Sequence, residues 1–271
     1  MTSTQFPMQG EIVLTHGKTT IGVRPDGNLV SHFQVENWPV LYRAVTGNLK
    51  RWGMPLMIPN FSQLKGGIFQ EKGTTLSSHG FGRDLPWSIL QQDQASITLQ
   101  LTSNEQTRPH YPYEFVFTAH IEAGDGTLAY TLTIENPNDV TLPIAPGFHP
   151  YFTVAQQDKA DITVEGLPEV DPKAIQWDSQ PPNNPYSFPH RVTLQIPQGG
   201  VLTIAEEPWE GQYSLATMQV WSEPAIADDH NFVCFEPVVT SEDGLNRPAD
   251  RLNIPAHSSH QIILRLSAKP F

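Results

Sequence analysis

Ser96-Ile97-Thr98-Leu99-Gln100-Leu101-Thr102 alternates polar and apolar side chains at every step. A period of two sends one face into a core and the other to water, which is the signature of a half-buried strand. The pattern recurs outward along the chain: Tyr113 to Ile121, Gly126 to Asn136, Val192 to Ile196 and Gln261 to Leu266. Turn-forming clusters separate these runs, among them Pro25-Asp26-Gly27-Asn28, Gly124-Asp125-Gly126, Asn136-Pro137-Asn138 and Gln198-Gly199-Gly200. Helical periodicity is almost absent. The pattern predicts an all-β chain built as an antiparallel sandwich, with one domain over residues 1–271. The polar, proline-rich stretch from Gln156 to Arg191 reads as a long loop across a sheet face, of the kind that borders binding sites.

Composition narrows the partners. The 271 residues carry 28 acidic and 16 basic side chains, a formal charge of −12. Such a field repels nucleic acid and anionic membrane surfaces, so neither is expected, yet two or three local cations could still hold a small anion. The 25 prolines are roughly twice average usage and imply many turns and sheet edges. With a single cysteine, Cys234, no internal disulfide is possible. Met1 to Glu11 shows neither a basic segment nor an apolar one, and no apolar run reaches a membrane span of ~20 residues. A cytoplasmic location is expected.

Three side chains suggest proton chemistry. In Phe232-Val233-Cys234-Phe235-Glu236-Pro237, alternation places Glu236 on the face of Cys234 and Phe232. Burial there would raise its pKa towards the range of a useful base; an edge strand marked by Pro237 would instead leave it in solvent. His149, in Gly147-Phe148-His149-Pro150-Tyr151-Phe152, is held extended by the following proline. His79 opens His79-Gly80-Phe81-Gly82-Arg83, where the glycine suggests a turn.

These segments, in this order, resemble the aldose 1-epimerase (galactose mutarotase) superfamily, and most nearly its hexose-6-phosphate 1-epimerase branch. The run Arg51-Trp52-Gly53-Met54-Pro55-Leu56-Met57-Ile58-Pro59-Asn60-Phe61 is similar to another family segment, with Trp52 replacing a glycine and Ile58 a phenylalanine. The resemblance spans residues 45 to 265. It implies a β-supersandwich with a cleft across one sheet and the interconversion of α- and β-anomers of an aldohexose or hexose 6-phosphate, without cofactor or metal. It also implies Glu236 as base, His149 as acid and His79 as a donor to the same oxygens. Arg51 and Arg83 would hold phosphate or hydroxyls. A loop aspartate would bind hydroxyls, with Asp178 preferred over Asp171, and Trp177 would either stack on the sugar or anchor the core.

Three other readings compete, one of them a lyase or glycosidase on a similar sandwich, which needs two facing carboxylates or a charge-neutralising cluster. The histidines and Glu236 could form a metal triad, but they come from distant segments without local ligand spacing. A sugar-binding sandwich without catalysis would use the aromatic residues and need no acid or base.

Overall fold

A computed structural model describes residues 7–27, 29–48 and 51–271. Two large sheets dominate it, and every ladder between their strands is antiparallel. The first has ten strands and runs, edge to edge, through Ile12–His16, Thr19–Arg24, Leu29–Val35, Met54–Met57, Gly147–Phe148, Phe232–Val238, Thr217–Trp221 and Asn183–Ser187. Tyr151–Thr153 and Trp38–Pro39 join it off this path. The second has eight strands, in the order Thr163–Glu165, Arg191–Ile196, Gly200–Glu207, Ser258–Pro270, Thr127–Asn136, Val116–Gly124, Ser96–Thr102 and Ser88–Gln92.

Side-chain alternation explains how the sheets stack. In Thr127–Asn136, Leu128, Tyr130, Leu132 and Ile134 are fully buried, while the threonines between them are partly exposed. Those buried residues share one continuous apolar cluster with Leu56, Phe148, Phe152, Met218, Val220, Val233 and Phe235 of the first sheet. The Tyr130 and Phe148 rings meet edge to face at 5.0 Å between the two sheets. Phe148 is the residue immediately before His149.

The Phe232–Val238 strand has no exposed face. All seven residues are buried. Val233 and Phe235 enter the core between the sheets, while Phe232 and Cys234 join Trp52 and Tyr151 on the other side. Glu236 therefore stands in an interior strand, and the edge-strand alternative is overturned. Pro237 is the exception to the expectation that prolines mark edges. Its partner on one side is Met218. On the other side the ladder breaks between Phe148 and Tyr151, so the donor it lacks falls at a gap.

The Gln156–Arg191 stretch is also more regular than a loop. It contributes an edge strand to each sheet, Thr163–Glu165 and Asn183–Ser187. Their patterns of mixed exposure, with one proline and two asparagines in the second, hid them from periodicity. No helix among the described residues is long and apolar enough to cross a membrane.

Candidate active site

Strand register brings His149 and Glu236 together. Gly147 pairs with Val238 and Tyr151 with Cys234, so continuing the same register across the break sets His149 opposite Glu236. Their side chains meet, with His149 Nδ1 3.6 Å from Glu236 Oε1. Both are buried, His149 5% and Glu236 2% exposed. Pro150 makes the break by withholding a donor, and the His149 backbone N–H donates to the Pro55 carbonyl at 3.0 Å. The His149 ring stacks on Tyr151 at 4.5 Å and meets Trp221 edge-on at 5.7 Å. The Tyr151 hydroxyl lies 3.3 Å from Nε2.

Burial opposes the charged form of each partner. It pushes the Glu236 carboxyl well above the usual range, against the pull of Arg83 and Arg51. It drives the His149 imidazole well below its usual range, helped by His79, Arg83 and Arg51. A protonated Glu236 beside a neutral His149 is the form that burial favours.

His79 sits in the turn that the sequence suggested. The His79 and Gly80 backbones both adopt left-handed conformations, with φ of 64° and 67°. Gly80 is required there, because a Cβ would lie 2.1 Å from the Ile58 carbonyl oxygen. The Ser62 backbone N–H donates to His79 Nδ1 at 3.2 Å, which leaves the ring proton on Nε2. Burial, with Arg83 and Arg51 nearby, lowers its pKa to about 3. His79 is thus a neutral, fixed donor, its ring centre 5.5 Å from that of His149.

The two arginines are not equivalent. Arg51 pairs with Glu223 at 2.8 Å, lies over the Trp221 ring at 4.8 Å and hydrogen-bonds Tyr151. Arg83 forms no ion pair among the described residues, and its Nε is buried without a hydrogen-bond partner. Both still act electrostatically on Glu236, His149 and His79.

Trp177 and the loop aspartates are held by contacts of their own, and Lys159 Nζ stands 5.8 Å from the Trp177 ring and 5.9 Å from the Phe232 ring. Trp177 is 6% exposed, packs in the main core and donates its indole N–H to the Pro172 carbonyl at 2.9 Å, a geometry that suits a core anchor. Asp178 is exposed and accepts from Gln156 Nε2 at 2.9 Å, beside a depression of about 330 Å³. Asp171 caps a short 3-10 turn by accepting from the Lys173 N–H. The fold also offers two amides, Gln219 and Asn183, that no motif in the sequence marks. Gln219 stands opposite Glu236 on the neighbouring strand and donates to Asn183 Oδ1 at 2.7 Å. A buried glutamine between Met218 and Val220 was the available signal, but only the register reveals what it faces.

One cluster in the site has metal-ligand character. The ligand atoms of His149, Cys234 and Glu236 all lie within 4.8 Å of one another. This differs from the triad considered from sequence, with a thiol in place of His79.

Residues 64–200 match the family model described as aldose 1-epimerase. The chain belongs to the aldose 1-epimerase family. It is 31% identical over 121 residues to an Escherichia coli K12 protein named "Putative glucose-6-phosphate 1-epimerase", a match covering 43% of this chain and 36% of that protein. The chain therefore spans little more than a third of that relative's length. Among solved structures, the Slr1438 protein of Synechocystis sp. PCC 6803 superposes with a TM-score of 0.85 at 22% identity, covering 100% of both chains. A galactose mutarotase related enzyme from Lactobacillus acidophilus gives 0.79 at 18% identity, over 96% of this chain and 97% of that one. At these identities the likeness is one of fold.

Proposed function

We propose that this protein is an aldose 1-epimerase that interconverts the α- and β-anomers of an aldohexose by opening and reclosing the ring. The observation carrying this is the buried His149–Glu236 pair at 3.6 Å. O1 and the ring oxygen O5 are bonded to the same carbon, so an acid and a base serving them must stand side by side. Glu236 takes the O1 proton as the C1–O1 double bond forms and the C1–O5 bond breaks, and His149 gives a proton to O5. Ring opening thus starts from the minor form of the pair, with its one proton on His149 and Glu236 ionised. It ends with that proton on Glu236 and both groups neutral, the form that burial favours. After C1 presents its other face, both transfers run backwards. His79 Nε2–H donates to the oxygen bearing developing charge, and Gln219 and Asn183 offer amides to hydroxyls. No metal or cofactor enters the scheme, and the expected location is the cytoplasm.

The pair is active when it holds one proton. A second proton must be forced onto a site where burial opposes the imidazolium, so the acid limb of kcat/KM is expected below pH 6.5, the ordinary histidine midpoint. Glu236 must lose the only proton for the alkaline limb, and burial raises that limb above the ordinary carboxylate range. Polarimetric rates across the pH range check this; a midpoint at 6.5 would place the acid elsewhere.

A 6-phosphate, where the substrate carries one, is read by Arg83, because Glu223 already neutralises Arg51. Arg83→Ala is expected to raise KM for glucose 6-phosphate more than for glucose. Arg51→Ala, through its contact with Tyr151, should affect the two sugars alike. Steady-state kinetics with both substrates decide it. Equal effects of Arg83→Ala would remove the phosphate role.

A further inference from the structure

We propose that His149, Cys234 and Glu236 form a binding site for a thiophilic divalent cation such as Zn²⁺, and that the ion inhibits the enzyme by occupying its acid and base. Cys234 and Glu236 are two residues apart on one strand and project to the same face. His149 completes the triangle from across the ladder break, and its buried Nδ1 has no hydrogen-bond partner. The three donors are the kinds that bind zinc: thiolate, imidazole and carboxylate.

The geometry needs little change. Tetrahedral zinc with ligand bonds of about 2.0–2.3 Å sets neighbouring ligand atoms roughly 3.5 Å apart. The His149–Glu236 separation of 3.6 Å already matches this. With all ligand atoms within 4.8 Å, the thiol must approach by no more than about 1.3 Å. On binding, the Cys234 thiol and the Glu236 carboxyl each give a proton to solvent, and the sulfur and the carboxylate bind the metal. The carboxylate and thiolate then balance the ion's two charges. Arg51 is already paired with Glu223, and Arg83 is the uncompensated cation that keeps the ion exchangeable. A fourth position remains for water or a sugar oxygen. Cys234 makes none of the sugar contacts described above, so the sensitivity to metal is separable from catalysis.

The binding half of this proposal stands without the epimerase reading; the inhibition half rests on it. Co²⁺ is therefore titrated into chelator-free protein while the thiolate-to-cobalt charge-transfer band in the near ultraviolet is followed. Wild type should show a band saturating at one equivalent and displaced by Zn²⁺, and Cys234→Ser and Cys234→Ala should show none. In polarimetric assays Zn²⁺ should inhibit wild type, with recovery on adding EDTA. Cys234→Ser should keep its metal-free rate, which also reports its folding. It should need more Zn²⁺ for half inhibition by at least the roughly 10–100-fold that losing even an outer-shell partner costs. Absence of the band in wild type, or equal zinc sensitivity in both proteins, overturns the site. A band without inhibition overturns its placement on the acid and base. A wild type that shows the band but never epimerises sugar refutes the proposed function and leaves the metal site standing.

Discussion

Glu236→Gln is expected to lower catalysed anomerisation by roughly 10²–10⁴-fold, the usual scale for a positioned acid or base. Glutamine keeps the volume in a strand buried on both faces, and it removes an ionisable group that burial already disfavours. The fold should therefore survive with unchanged thermal stability. Sugar binding should also be kept, because the donors from His79, Arg83 and Gln219 remain. Isothermal titration with glucose beside polarimetry separates the two effects. Near-normal rates in Glu236→Gln would show that the base is another group.

His149→Ala carries the second large effect, of the same order. It removes the acid and also leaves a hole between Tyr151 and Trp221, so His149→Gln serves as a control that refills part of the space. The informative measurement is the double variant. In the proposed scheme acid and base act at one carbon with one proton between them, so Glu236→Gln with His149→Ala should be little slower than the worse single change. Multiplying losses would mean that the two side chains serve separate steps.

How much of this was legible in the sequence depended on which interaction set each feature. Period-two alternation located Ser96–Thr102, Thr127–Asn136 and Arg191–Ile196 to within a residue or so, because each has one face in the core and one in water. Asn183–Ser187 escaped because an edge strand needs no apolar face to hold its register against Thr217–Trp221. Pro237 misled because its missing donor is harmless only beside a ladder break that another proline, Pro150, creates far away in sequence. His79, His149, Glu236 and the arginines were found through motif order, and the fold brings them into one cluster. Trp177 and Asp178 were chosen from a loosely matched loop, where Trp177 donates to Pro172 and Asp178 accepts from Gln156. Gln219 carries no motif at all. Its place opposite Glu236 follows from strand pairing, a non-local property that a linear reading does not contain.

The central claim is that the His149–Glu236 pair moves protons on and off a sugar ring. Freshly dissolved α-glucose, followed by polarimetry with and without the protein, tests it most directly. The account predicts that wild type speeds the approach to the same final rotation in proportion to enzyme concentration, that no new product forms, and that Glu236→Gln does not exceed the buffer rate by more than a small fraction of this. Rotation that relaxes at the buffer rate with wild type, for both glucose and glucose 6-phosphate, would contradict it.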